Sequence, residues 1–259
     1  MNLFEGLFLG FVQGATEFLP VSSSGHLFLV ETWLGTTPSL DLMIITHLAT
    51  LGAVLVVFWR QVWDLVLGFA KLLVTRNLDP SNDSGLLALK LGVVTIITVL
   101  VALLIEPYFG ELLNLKLVAG TLILTGLLIL IAEKFRPKTE TFFTWPVVIG
   151  LGLMQGIAVV PGLSRSGLTI AFLILIGLNR KRSAEISFLC SIPTIIAAGI
   201  FLFVGAEASI EITVSLIIAA VSAFLTALIM IYSMLKLIEK QWIWFAPYCI
   251  GLGMVLLFL

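Results

Sequence analysis

The sequence predicts an all-α integral membrane protein with an inverted-topology repeat, each half a re-entrant helix hairpin plus three transmembrane helices. Three observations carry this. First, 60% of the 259 residues are apolar and 11% are charged, with a mean hydropathy of +1.18, a balance that no ordinary soluble domain of this size shows. Second, the apolar residues fall into stretches of bilayer-spanning length. Third, a polar motif is written twice. Gln13-Gly14 followed by Ser22-Ser23-Ser24-Gly25 returns as Gln155-Gly156 followed by Ser164-Arg165-Ser166-Gly167, each position displaced by 142, and Gly10 pairs with Gly152 at the same offset. The chain reads as one polytopic domain over 1–259, with repeat one over about 1–139 and repeat two over about 140–259.

Two apolar regions, 3–35 and 146–178, are broken mid-way by Pro, Gly and Ser at 20–25 and 161–167. The pieces on either side are too short for a full crossing, so each region reads as a re-entrant hairpin. Its irregular backbone is tolerated only where protein buries it or water reaches it. Uninterrupted spans are expected near 41–59, 86–105, 116–132, 187–205, 212–235 and 243–259. Basic residues then concentrate in four connections: Arg60, Lys71 and Arg76 in 60–85; Lys134, Arg136 and Lys138 in 133–145; Arg180, Lys181 and Arg182 in 179–185; Lys236 and Lys240 in 236–242. The loops 106–116 and 206–211 hold only Lys116. With both broken regions re-entrant, all four basic connections fall on one side, the cytoplasm by the positive-inside rule, and both chain ends lie outside. Three spans separate the hairpins, so they enter from opposite faces with their tips near the midplane.

The polar residues sit at the breaks. Gln13 and Glu17 are four apart and share a helix face; a carboxylate inside an apolar segment is functional by default. Pro20 ends that helix, and Ser22, Ser23, Ser24 and Gly25 precede a second short helix that begins near His26. Serines at such a position cap the helix, and its free N–H groups and positive dipole end suit a phosphate. A serine hydroxyl with a histidine two to four residues away is a candidate nucleophile with a candidate base. In the second break Arg165 takes the place of Ser23; a guanidinium binds phosphate oxygens bidentately and is costly inside a membrane unless paired, here with Glu17 as candidate. Ser164, Ser166 and Thr169 add hydroxyls, whereas Val159 and Leu168 stand where Glu17 and His26 would recur. Acid, base, hydroxyl, arginine and two helix N-termini in a membrane point to phosphate-ester or anhydride chemistry on a lipid substrate.

Other classes are excluded. There is no GxxxxGK[ST] loop and no HExxH or CxxC, which argues against a P-loop engine or a zinc site. The net charge of −1 gives no pull toward nucleic acid. Cys190 and Cys249 lie in apolar runs and read as small buried hydrophobes. The apolar N-terminus lacks a basic leader and cleavage site, so it is read as part of the mature chain. His47, beside Thr46 and Thr50, is read as a packing or helix–helix hydrogen-bonding residue. Trp59, Trp63, Trp145, Trp242 and Trp244 are read as interfacial anchors, and 75–85 as a cytoplasmic loop.

The first motif, QGATEFLPVSSSGH over 13–26, and the second, PGLSRSGLT over 161–169, resemble the undecaprenyl-diphosphate phosphatase family, the bacitracin-resistance BacA-type enzymes. They fit its (E/Q)xxxE element with serine-rich loop and its PGxSRSxxT element; the likeness also covers 41–60 and 185–193. Gln13 stands where some members carry Glu, leaving one carboxylate fewer for a metal. The resemblance implies hydrolysis of a C55 polyprenyl diphosphate in the plasma membrane, at a site open to the extracytoplasmic side. It also implies a divalent cation (Mg2+ or Ca2+) and homodimers. On that footing Ser23 is the expected nucleophile and His26 its base, with direct attack by a water that His26 activates as the open alternative. Glu17 would hold the cation or orient His26, and Arg165 would stabilise the transferring phosphoryl group. Gln13, Ser22, Ser24, Gly25, Ser164, Ser166, Gly167 and Thr169 would bind phosphate. The rival reading is a transporter that flips polyprenyl phosphate without cutting it, since broken inverted repeats are also transporter architecture.

Cysteines introduced into 60–85 and 133–145 will label from the same side of the membrane; labelling from opposite sides would contradict the hairpin topology.

Overall fold

The computed structural model describes residues 1–36, 39–75, 83–109, 113–139, 142–205 and 211–259. The described residues form α-helices, one 3-10 turn and connecting turns, with no strand among them. The first broken region is α1 (Leu3–Thr16) and α2 (Ser23–Leu34); the second is α7 (Trp145–Ile157) and α8 (Arg165–Leu175). These helices run to between 11 and 14 residues. At 1.5 Å per residue that is about 21 Å at most, well short of the ~30 Å hydrocarbon layer. In each region the two pieces pack on one another, and the breaks fall where Pro20 and Pro161 stand.

Between and after them lie α3 (Leu40–Val57), α4 (Trp59–Thr75), α5 (Asp83–Phe109), α6 (Leu115–Lys134), α9 (Arg180–Gly205), α10 (Val214–Gln241) and α11 (Phe245–Leu257). Five apolar helical stretches are long enough to cross a membrane: α3, α5, α6, α9 and the stretch from Val214 to Leu257. The expected last span at 243–259 is shorter than a crossing. It is a 3-10 turn at Trp242–Trp244 followed by α11, which has 13 residues. α9 begins earlier than expected because Asn179 caps it: its Oδ1 accepts the Arg182 N–H at 2.8 Å. The basic triplet therefore starts a helix rather than filling a loop.

α4 replaces part of the expected basic loop. It is amphipathic, setting Gly68 and Leu72 inward and leaving Trp59, Trp63, Leu67, Leu73 and Val74 exposed, a composition suited to a membrane surface. Of the expected loop at 75–85, residues 76–82 lie outside the described residues.

Small residues decide the helix pairing. α1 runs along α10, and a Cβ placed on Gly6, Gly10 or Gly14 would lie 2.4, 2.2 and 2.4 Å from the carbonyl oxygens of Ser215, Ala219 and Ala223. α7 runs along α5 in the same way, with Gly152 against Ile97 and Gly156 against Val101. Thus each hairpin's first helix packs on a long helix of the other half. Where lipid tails remove the hydrophobic drive between helices, close backbone approach and its dispersion contacts take over. α6 and α11 pair through Gly126 and Gly253, each against the other helix. The main core sits between these pairs, with Phe18 edge-on to Phe188 at 5.3 Å. At one end Arg180 bridges the Glu133 carboxylate and the Glu239 carbonyl, tying α6, α9 and α10 together.

Gly10→Ala will destabilise the protein by about 1–3 kcal/mol, the usual range for overpacking. Gly92→Ala, where a Cβ meets nothing within 4 Å, will be neutral or stabilising. Thermal melts in detergent compare the two.

Candidate active site

The two breaks form two matched turns. In the first, Pro20 cannot continue α1 because it lacks an N–H. The Val21 N–H turns back to Leu19 O at 2.8 Å, and Ser22 adopts φ 70, ψ 96. That left-handed region costs a non-glycine residue on the order of 1–3 kcal/mol and persists only where surroundings enforce it. Ser22 then caps α2, its Oγ accepting the Gly25 N–H at 3.1 Å. In the second turn Gly162, at φ 83, passes so close to Thr121 that a Cβ would sit 2.2 Å from its Oγ1. Ser164 caps α8, accepting the Gly167 N–H at 3.0 Å. The turns are also fastened to each other. Ser166 Oγ donates to Leu19 O at 2.8 Å, and Gly162 N–H reaches Ser24 Oγ at 3.4 Å.

Glu17 sits at the junction, 6% exposed. Its Oε1 accepts from Arg165 Nη2 at 2.5 Å. Its Oε2 accepts from Ser23 Oγ at 2.7 Å and from Gln13 Nε2 at 3.0 Å. His47 Nε2 is 3.6 Å from the same oxygen, while its Nδ1 faces Met43 O at 2.7 Å. Arg165 leaves Nη1 without a hydrogen-bond partner. The main-chain N–H groups of Ser23 and Ser24, and of Arg165 and Ser166, open the two helices and have no partner among the described residues. All four residues line a single cavity of about 460 Å³. Its polar lining includes Glu17, His47, the serines 23, 24, 164 and 166, Gln155, Thr98 and Thr194, and its apolar lining includes Met43, Leu48, Ala102, Ile195 and Leu202.

The structure therefore gathers Gln13, Glu17, Ser23, Ser24, Ser164, Arg165 and Ser166 at one place. Other expected residues serve the scaffold around it. Ser22, Gly25 and Gly167 are spent on the caps. Thr169 is fully buried, donating to Arg165 O at 2.8 Å and pairing with Ser187 Oγ at 2.7 Å. His26 does not approach Ser23 as expected. Its Nδ1 is 2.8 Å from Ser22 O and its Nε2 is 2.6 Å from the Tyr248 hydroxyl, so both ring nitrogens are engaged away from the cavity. His47, read from the sequence as a packing or helix–helix hydrogen-bonding residue, faces the Glu17 carboxylate. Gln155 was visible as the repeat partner of Gln13; it donates to Thr98 Oγ1 and Thr194 Oγ1 at 3.1 and 2.9 Å.

The donor set bears on a cation. Among the described residues no three His, Cys, Asp or Glu side chains gather, so no closed protein cage exists there. Glu17 and the buried, unpartnered Gln13 Oε1 fit a hard cation that takes its remaining ligands from phosphate oxygens and water.

The family description "Bacitracin resistance protein BacA" matches residues 6–255. The chain belongs to this family. It is similar to the undecaprenyl-diphosphatase of Treponema denticola, 35% identical with 98% of this chain and 96% of the relative covered. The enzyme of the same name from Ruegeria pomeroyi is 38% identical, covering 99% and 98%; that of Rhodopirellula baltica is 34% identical, covering 100% and 98%.

Removing one member of a buried ion pair leaves the other charge uncompensated, at a cost of about 3–5 kcal/mol. Glu17→Gln and Arg165→Gln will each destabilise the fold to that order, and the double variant will cost less than their sum. A double-mutant cycle on thermal stability measures the coupling; strict additivity would contradict the pairing.

Proposed function

We propose that this BacA-family protein hydrolyses undecaprenyl diphosphate to undecaprenyl phosphate and inorganic phosphate, returning the lipid carrier to cell-wall synthesis. The observation that carries this is the joint geometry of Ser23, Glu17 and Arg165 at two helix N-termini that open into one cavity. Family membership and the names of the relatives support the same reading. In it, the diphosphate head lies between the two turns and the polyprenyl tail leaves along the apolar wall.

The chemistry follows from the contacts. Ser23 Oγ attacks the terminal phosphorus as its proton passes to Glu17 Oε2, already 2.7 Å away. A new Ser–O–P bond forms, the bridging P–O bond breaks, and undecaprenyl phosphate departs. Water then attacks the phosphoserine; the Ser–O–P bond breaks, Glu17 returns its proton to Ser23 Oγ, and the water leaves as part of inorganic phosphate with its own protons, restoring both residues. Arg165 and the four free N–H groups hold charge on the transferring phosphoryl oxygens, where such donors act most strongly. Ser24 and Ser164 add hydroxyl donors, while the Ser166 hydroxyl stays on Leu19 O. Glu17 and Gln13 Oε1 would hold a divalent cation, Mg2+ or Ca2+, which when bound offsets charge on the diphosphate. His47 bounds the cavity beside Glu17, and His26 secures the first turn.

This reading sets the protein in the plasma membrane with the cavity open to the extracytoplasmic side. The clustering of basic residues in four connections supports that orientation. It also takes the two halves as inverted repeats. Their reciprocal packing, α1 on α10 and α7 on α5, supports this, as do the matched caps Ser22–Gly25 and Ser164–Gly167.

Purified protein will release phosphate from undecaprenyl diphosphate. Ser23→Ala and Arg165→Ala will lower turnover by at least about 100-fold, the scale of losing a nucleophile or a principal charge-stabilising donor. Release unaffected by Ser23→Ala would remove the serine route; no release from the wild-type protein would remove the phosphatase reading.

A further inference from the structure

The first turn is strained and the second is not. Ser22 is the only non-glycine residue with positive φ among the described residues, at φ 70, whereas its repeat partner Ser164 lies at an ordinary φ −81. The same half carries His26 where the other carries Leu168. Strain and histidine therefore occur together, beside the proposed nucleophile.

We infer that Tyr248, on α11, is a positioning residue for the reaction: it fixes His26 in the one neutral tautomer that locks the Ser22 turn and so aims Ser23 into the cavity. The kinetic side of this rests on the proposed phosphatase reading; the tautomer does not. A carbonyl oxygen can only accept, so the His26 Nδ1 that sits 2.8 Å from Ser22 O carries the proton. The neutral ring then presents a bare lone pair at Nε2, and the Tyr248 hydroxyl, 2.6 Å away, donates to it. The two rings lie nearly parallel, with planes 11° apart and centroids 5.8 Å apart.

Held this way, His26 grips the Ser22 carbonyl twice, through Nδ1–H and through its own main-chain N–H at 3.1 Å. Together with the Gly25 N–H on Ser22 Oγ, this fixes the peptide between Ser22 and Ser23 against relaxation to a commoner conformation. That peptide sets the direction of Ser23 Oγ, which must stay within reach of Glu17 Oε2. Misplacement of a reacting atom by a fraction of a hydrogen-bond length is costly to rate. Tyr248 lines no part of the cavity and touches no reacting atom. Its neighbour Cys249 contacts the same turn, Sγ to Pro20 O at 3.4 Å, so α11 meets the turn at two points.

Tyr248→Phe keeps the ring and removes the hydroxyl. In protein labelled with 15N-histidine, with His47→Gln used to assign the two histidines, wild-type His26 will show the Nδ1–H tautomer, and Tyr248→Phe will move it to a mixture. In the same variant kcat for phosphate release will fall about five- to tenfold, the scale of one neutral hydrogen bond, with KM within twofold. A wild-type His26 in the Nε2–H form overturns the inference without any variant. So does a Tyr248→Phe protein with unchanged tautomer and unchanged kcat. Absence of phosphate release from the wild type would instead strike the phosphatase reading and leave the tautomer measurement to decide the strut.

Discussion

The ion pair between Glu17 and Arg165 joins residues 148 positions apart and is the contact around which the rest is arranged. Each charge alone would be expensive inside an apolar protein in a membrane. Together they also fix the two broken turns in one place, and the same carboxylate that holds Arg165 holds Ser23 and Gln13. A broken helix in a membrane leaves main-chain groups that must be satisfied locally. Here the serine caps and the cross-links from Ser166 to Leu19 and from Gly162 to Ser24 meet part of that need. The main-chain N–H groups at the start of α2 and α8 are what is left over, on residues that line the cavity. In the proposed reaction the donors left over from folding become the donors for phosphate.

The ion pair can form only because the helices come close enough. Glycines at every fourth position of α1 let its backbone lie against α10, and Gly152 and Gly156 do the same for α7 against α5. Each interlocked pair carries one turn inward from its own half. A side chain added at these positions would meet the partner helix's backbone or packed side chains and press the two helices apart. The packing and the site thus constrain each other.

Much of this was legible in the sequence. The positions of both breaks, the serine caps and the carboxylate–arginine pair follow from Pro20, Pro161, the serines and the cost of burying charge. What was not legible depends on long-range contacts or on helix faces. His26 and Ser23 are close in sequence, but Tyr248, 222 residues on, turns the imidazole away. His47 carries no motif; only the packing of α3 beside α1 and α10 brings it to Glu17. α4 did leave a signal, because Arg60, Asp64 and Lys71 recur at helical spacing, a pattern that a count of basic residues in the connection does not register. The early start of α9 lay in Asn179, a capping residue just before the basic triplet.

The central claim is that phosphoryl transfer passes through Ser23 at the junction of the two turns. Rapid-quench mass spectrometry of wild-type protein during its first turnover of undecaprenyl diphosphate tests it directly. The account predicts a phosphoryl group on the peptide containing Ser23, forming before steady state and decaying as inorganic phosphate appears. Phosphate release with the Ser23 peptide unmodified throughout the first turnover would contradict it.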